Sequence, residues 1–252
     1  MADVEDLLPD VPERVRDPKA GVSDLPVRLA SAVVMVGVAG TALWLGSFAW
    51  IGFVIAIAGL VLWEWNRLAR AMEVAPLGEI VWLFFGALYV TGAALAMIQV
   101  RVNYGAFGVA LTYLAPVIAV DVGAYFAGRA IGGPKIAHRL SPSKTWAGLA
   151  GGAVAASLVF IAVVASGWMP ELGESVSATG LLLAVLAGLM VAVVAQAGDF
   201  FESWMKRRAG VKDSSALIPG HGGVFDRVDG FLAVFFLIFC VNVLPGLLGG
   251  TF

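Results

Sequence analysis

The chain has 252 residues, of which 60% are hydrophobic and only 13% charged, with a formal net charge of −2. A mean hydropathy of +0.91 excludes a soluble globule of this length, because such a globule must cover itself with polar side chains. The net charge is uninformative by itself, since the useful signal is where along the chain the charges fall; no nucleic-acid partner is expected.

Residues 1–27 are polar, rich in Pro and Asp, and lack the basic-then-apolar order of a cleavable signal. They are expected to form a disordered cytoplasmic tail. Continuous apolar windows then predict seven transmembrane helices, at about 28–45, 47–64, 79–98, 106–130, 146–166, 178–198 and 228–248, with eight if a polar loop hides a half-helix. A β-barrel would instead show alternating segments of about ten residues. The expected fold is therefore all-α, a polytopic helix bundle in the lipid bilayer. It divides into N-terminal helices (28–104) and a catalytic region (105–252) with polar loops at 131–145 and 206–227.

A cytoplasmic N-terminus puts every one of the 16 Lys and Arg except Arg101 on the inner side, as the positive-inside rule demands. Trp44, Trp50 and Trp168 then fall near outer ends, and Trp63, Trp65, Trp82, Trp146 and Trp204 near inner ends, as interface anchors would. Arg70 and Arg208 are likewise read as anchors. Gly148, Gly152 and Ala156 show the spacing that lets helices approach closely. The single cysteine, Cys240, is taken as packing filler.

Both long polar loops therefore face the cytoplasm. The first, GGPKIAHRLSPSKTWAG, offers Lys135, His138, Arg139, Ser141, Ser143, Lys144 and Thr145. On its own it reads equally as an anchor for anionic lipid head groups. The acids tell more. Asp121 lies inside the fourth span, where a charge costs at least about 2.5 kcal/mol and marks a functional candidate, with pairing to a neighbouring helix as the alternative. In QAGDFFESWMK, residues Asp199, Glu202, Ser203 and Lys206 share one helical face. Asp226 and Asp229 repeat the three-residue step as the last helix begins. Converging carboxylates need a compensating cation, and hard oxygen donors suit Mg²⁺. Gly220, Gly222 and Gly223 permit close backbone approach to an anion, while Lys206, Arg207, Lys212 and Arg227 supply positive charge. This is the pattern of phosphoryl chemistry without a P-loop.

Residues 203–229, SWMKRRAGVKDSSALIPGHGGVFDRVD, closely resemble the signature of the bacterial phosphatidate cytidylyltransferases, or CDP-diacylglycerol synthases. Residues 121–148, DVGAYFAGRAIGGPKIAHRLSPSKTWAG, are similar to a second block of that family, and QAGDFFES and WEWNRL fit it too. Ser143 and Ala147 depart from it, standing where the family commonly has a base and an acid. The resemblance implies that CTP and phosphatidate give CDP-diacylglycerol and pyrophosphate, at the cytoplasmic face of a bacterial inner membrane, in a homodimer. It implies Asp199 and Asp226 as catalytic metal ligands, joined by Ser203 and Asp229, with Asp121 and Glu202 in support. Mg²⁺ is the expected metal, with a second cation as an option. Lys144, Lys206, Arg207, Lys212, His221 and Arg227 would neutralise phosphates, His221 alternatively assisting proton transfer, and Ser141 and Thr145 would contact substrate.

Two other enzyme classes and a transporter compete. The CDP-alcohol phosphotransferase pattern DxxDGxxAR begins at Asp226, Asp229, Gly230 and Ala233, but Val234 replaces its arginine and no further acids follow. A CTP- or ATP-dependent lipid or polyprenol kinase fits the same site chemistry. A transporter would favour an internal repeat, and none is seen.

Overall fold

A computed structural model of the protein describes residues 25–138, 140–167 and 177–244. The expected tail up to residue 24, Arg139 and Trp168 lie outside them. Seven α-helices occur among the described residues: α1 (Leu25–Leu45), α2 (Ser47–Ala71), α3 (Pro76–Val109), α4 (Ala115–Ala130), α5 (Trp146–Ala165), α6 (Ala178–Arg208) and α7 (Phe225–Ile238). Five of them, α1, α2, α3, α5 and α6, are long and apolar enough to cross a membrane. The other two are lengthened by π-helical turns, Ala110–Leu114 before α4 and Phe239–Val243 after α7.

Local chemistry sets the breaks. Pro76 opens α3 at its first turn, where a missing N–H costs nothing. Gly105, at φ 68, interrupts that helix, so the spans expected at 79–98 and 106–130 are separated by one left-handed residue rather than by a loop. Thr145 and Ser177 cap α5 and α6 through side-chain oxygens. Lys206, Arg207 and Arg208 fill the last turn of α6, where they complement the helix dipole.

Small residues bring the last four helices close. A Cβ on Gly152 would lie 2.9 Å from the Val120 carbonyl oxygen, and one on Gly148 3.1 Å from that of Ala124, so α5 packs backbone against α4. Gly188 meets Ser157 across α5 and α6, and Gly198 meets the Asp229 backbone across α6 and α7. The stripe read in the sequence is thus used for packing within the chain.

The largest buried cluster draws on α2, α3 and α7 and centres on Trp65, 1% exposed. The rings of Phe85, Tyr89, Phe201 and Phe225 stand 5.7–5.9 Å from it. Trp65 donates its indole N–H to the Trp82 carbonyl, and Trp50, 2% exposed, donates to that of Met97. Both were expected as interface anchors; both are core residues, because each indole N–H finds a backbone acceptor inside the bundle. Trp44, Trp63 and Trp146 are exposed as anchors should be. Cys240 is also exposed, so it is not the packing filler expected.

Alternation of the helices collects the start of α1, α3, α5 and α7 and the end of α2, α4 and α6 at one pole. There Ser31 of α1 donates to the Pro219 carbonyl. At the opposite pole Arg101 donates from Nε to the Leu43 carbonyl, satisfying one open acceptor of the α1 terminus.

Candidate active site

A cavity of about 320 Å³ opens at the charged pole, lined by Asp121, Asp199, Glu202, Ser203, Lys206, Asp213, Asp226, Arg227 and Asp229. The volume lies at the small end of ligand pockets. Asp121 comes from α4, Asp199 to Lys206 from α6, and Asp226 to Asp229 from α7. The close crossings of the small residues are what bring these three helices to one point. Asp199, Glu202, Ser203 and Lys206 line the cavity together, as their spacing on one helical face predicted.

Aromatic anchors fix the acids from behind. Phe201 precedes Glu202 and Phe225 precedes Asp226, and both rings pack on Trp65. The carboxyl groups therefore sit at the boundary between a dense ring cluster and the polar cavity.

Asp226 is the most heavily bonded acid. Lys206 donates to its Oδ1 at 2.6 Å. Its Oδ2 accepts from Ser214 N and Ser214 Oγ, both at 2.9 Å, and from Gly223 N at 2.7 Å. Lys206 also pairs with Glu202 Oε2 at 2.5 Å, while Glu202 Oε1 is buried without a hydrogen-bond partner. Lys144 reaches across from the α4–α5 loop and donates to Asp199. Burial pushes the Lys144 ammonium below the ordinary lysine range, against the opposing pull of Asp121 and Asp229. Two ammonium groups thus stand among the acids, and among the described residues no three His, Cys, Asp or Glu side chains close into a ready metal cage.

Lys144 is placed by backbone bonds. Ile136 N donates to the Lys144 carbonyl, Trp146 N donates to that of Pro134, and Lys135 bridges Thr145. Thr145, expected at the substrate, is 3% exposed and accepts from Gly148 N as the cap of α5. Ser141 and Ser143 lie in the turn of this loop, away from the cavity lining, and Ala147 lies in the first turn of α5.

The glycines of the second loop do make room for an anion, but the anion belongs to the protein. A Cβ on Gly222 would fall 2.8 Å from Asp226 Oδ2, and one on Gly223 would fall 2.4 Å from Glu64 Oε1. Gly220 packs on Arg28 of α1 instead. Arg207, Lys212 and His221 are not among the lining residues. His221 donates its backbone N–H to the Ile218 carbonyl, and its Nδ1 is buried without a hydrogen-bond partner. Two participants were missed: Asp213, which lines the cavity, and Glu64, which is wholly buried at 0% exposure.

Comparison with known proteins decides the family. The Cytidylyltransferase family matches residues 72–244. The chain belongs to it. Over 86% of its length the chain is 32% identical to a phosphatidate cytidylyltransferase of Brucella suis, covering 93% of that protein. The enzyme of the same name from Rickettsia bellii is 30% identical over 87% of this chain and 91% of its own. A third, from Haemophilus influenzae, is 42% identical across half of this chain. The matched region of the family holds every residue lining the cavity.

Proposed function

We propose that the protein transfers the cytidylyl group of CTP to phosphatidate, releasing pyrophosphate and forming CDP-diacylglycerol. The observation that carries this reading is the convergence of acids and bases from α4, α6, α7 and two loops at one pole, in a member of the cytidylyltransferase family. The cavity opens where a membrane helix bundle meets water, so a lipid phosphate held at head-group level and a nucleotide from solution can meet there. A phosphate oxygen of phosphatidate attacks the α-phosphorus of CTP in line; the bond to the bridging oxygen breaks, and the electron pair leaves with pyrophosphate. Phosphatidate already presents an anionic oxygen near neutral pH, so no protein base is required. Lys144, Lys206 and Arg227 supply positive charge against the phosphates, and Arg207 and Lys212, outside the cavity lining, would add positive charge for the incoming nucleotide.

A divalent cation fits the oxygen donors present. Asp199, Asp226, Asp229 and Ser203 would hold Mg²⁺, with Asp121 and Glu202 in support, and the unpartnered Glu202 Oε1 is an acceptor without a donor. When bound, the ion would neutralise charge developing on the phosphates. The lysines that stand among the acids mark where positive charge is favourable.

The remaining parts of the proposal concern setting. The distribution of Lys and Arg supports a bacterial cytoplasmic membrane with the charged pole facing the cytoplasm. A homodimer rests on the family resemblance alone. The test is pyrophosphate release by detergent-solubilised protein given CTP, phosphatidate and Mg²⁺, with each omitted in turn and ATP replacing CTP. Release that needs all three and rejects ATP is expected; release without phosphatidate, or equal rates with ATP, would overturn it.

A further inference from the structure

Glu64 sits in the apolar run VLWEWNRL of α2, outside the residues 72–244 that the family matches, yet it is wholly buried. No ion pair involves it among the described residues. Its Oε1 accepts from Ser215 Oγ and, at 2.9 Å, from Val224 N; its Oε2 accepts from Phe225 N at 2.6 Å. The N–H just before these, that of Gly223, goes to Asp226. Three successive N–H groups at the start of α7 are therefore taken up by two protein carboxyl groups, and none is free to bind a phosphate, the usual ligand of such a terminus.

The consequence is positional. Phe225 is held twice, by its N–H on Glu64 and by its ring on Trp65, the next residue of α2. Asp226 follows directly in the chain. Ser214, which donates twice to Asp226, precedes Ser215, which donates to Glu64. Glu64 thus fixes both flanks of the Asp226 hydrogen-bond set, and Gly223 has no room for a side chain because Ser214 Oγ and Glu64 Oε1 occupy its place. We infer that Glu64 is a positioning residue for the reaction: from outside the matched region, it holds the loop at 213–224 and the first turn of α7 so that Asp226 faces the cavity. This rests on the proposed function only in taking Asp226 to be part of the working site.

The test uses the full chain in detergent, with Glu64→Gln and the milder Ser215→Ala, and two readouts. Hydrogen exchange compares peptides covering 213–226 with those covering 131–145; kinetics separate kcat from KM for CTP. Glu64→Gln should raise exchange across 213–226 and leave 131–145 unchanged. Its kcat should fall by about 10- to 100-fold with KM nearly constant, since small misplacement near the reacting atoms costs up to about that much. Ser215→Ala should show the same pattern with a smaller loss. Should Glu64→Gln not fold, Ser215→Ala decides by the same readouts. Exchange unchanged at 213–226, or raised equally in both loops with kcat per folded molecule intact, would overturn the inference. If the wild type fails to transfer cytidylyl groups, the proposed function falls, and the exchange comparison alone judges Glu64.

Discussion

The loop between α4 and α5 closes on itself through backbone bonds, whereas the loop between α6 and α7, which has a backbone bridge of its own between Ile218 and Gly222, is tied in addition to acidic side chains of the helices around it. In the first, the Lys135 and Thr145 backbones bridge, and Ile136 bonds to Lys144; Lys144 then reaches out of the loop, toward Asp199. In the second, Glu64 and Asp226 accept from Ser214, Ser215, Gly223, Val224 and Phe225. A self-closed loop can tolerate change while it still presents its one functional side chain. A loop held by Asp226, which itself lines the site, cannot be altered without moving the site.

That contrast can be broken most severely at Asp226. Asp226→Asn should lower cytidylyl transfer by about 100-fold or more, because it removes a carboxylate proposed to hold the cation that would stabilise transition-state charge, while the protein still inserts and elutes as the wild type does. Near wild-type turnover in a lipid-transfer assay would remove Asp226 from the site. Next comes Gly223→Ala, whose Cβ would fall 2.0 Å from Ser214 Oγ. It should cost about 1–3 kcal/mol as an overpacked site, read as a lower melting temperature together with lost turnover.

The first loop should answer more mildly and more separably. Lys144 acts as a cation, and burial lowers its pKa, so its charge, and the activity that depends on it, should fade with rising pH below the ordinary lysine range. Lys144→Arg, which keeps its charge, should lower the rate at neutral pH several-fold yet move the alkaline limb of the pH profile upward; an unmoved limb would assign that limb to another group. Thr145→Ala is the smallest expected change. Losing the α5 cap should cost about 1 kcal/mol of stability, with turnover per folded molecule unchanged.

Much of this arrangement is written in local pattern. Apolar windows give the helices, small-residue spacing in α5 gives its tight crossing with α4, and the steps from Asp199 to Lys206 give one face of the cavity. Glu64 is written there too, as a lone acid in an apolar helix, the same signal that singles out Asp121. Its partners are not, because Phe225 is 161 residues away in sequence, and no spacing rule joins them. The same reason hides the fate of Trp50 and Trp65: an indole in an apolar run suits an interface or a core, and only the position of a carbonyl on a neighbouring helix separates the two. Gly222 and Gly223 announce an anion nearby without saying that the protein itself provides it.

The central claim is that this polar end moves a cytidylyl group onto a lipid phosphate. It is tested most directly by incubating the purified protein with phosphatidate, Mg²⁺ and CTP labelled at either the α- or the γ-phosphorus, then extracting the lipid. The account predicts α-label in the lipid and γ-label only in released pyrophosphate. γ-Label in the lipid would make the protein a kinase, and no label in the lipid from either CTP would contradict group transfer altogether.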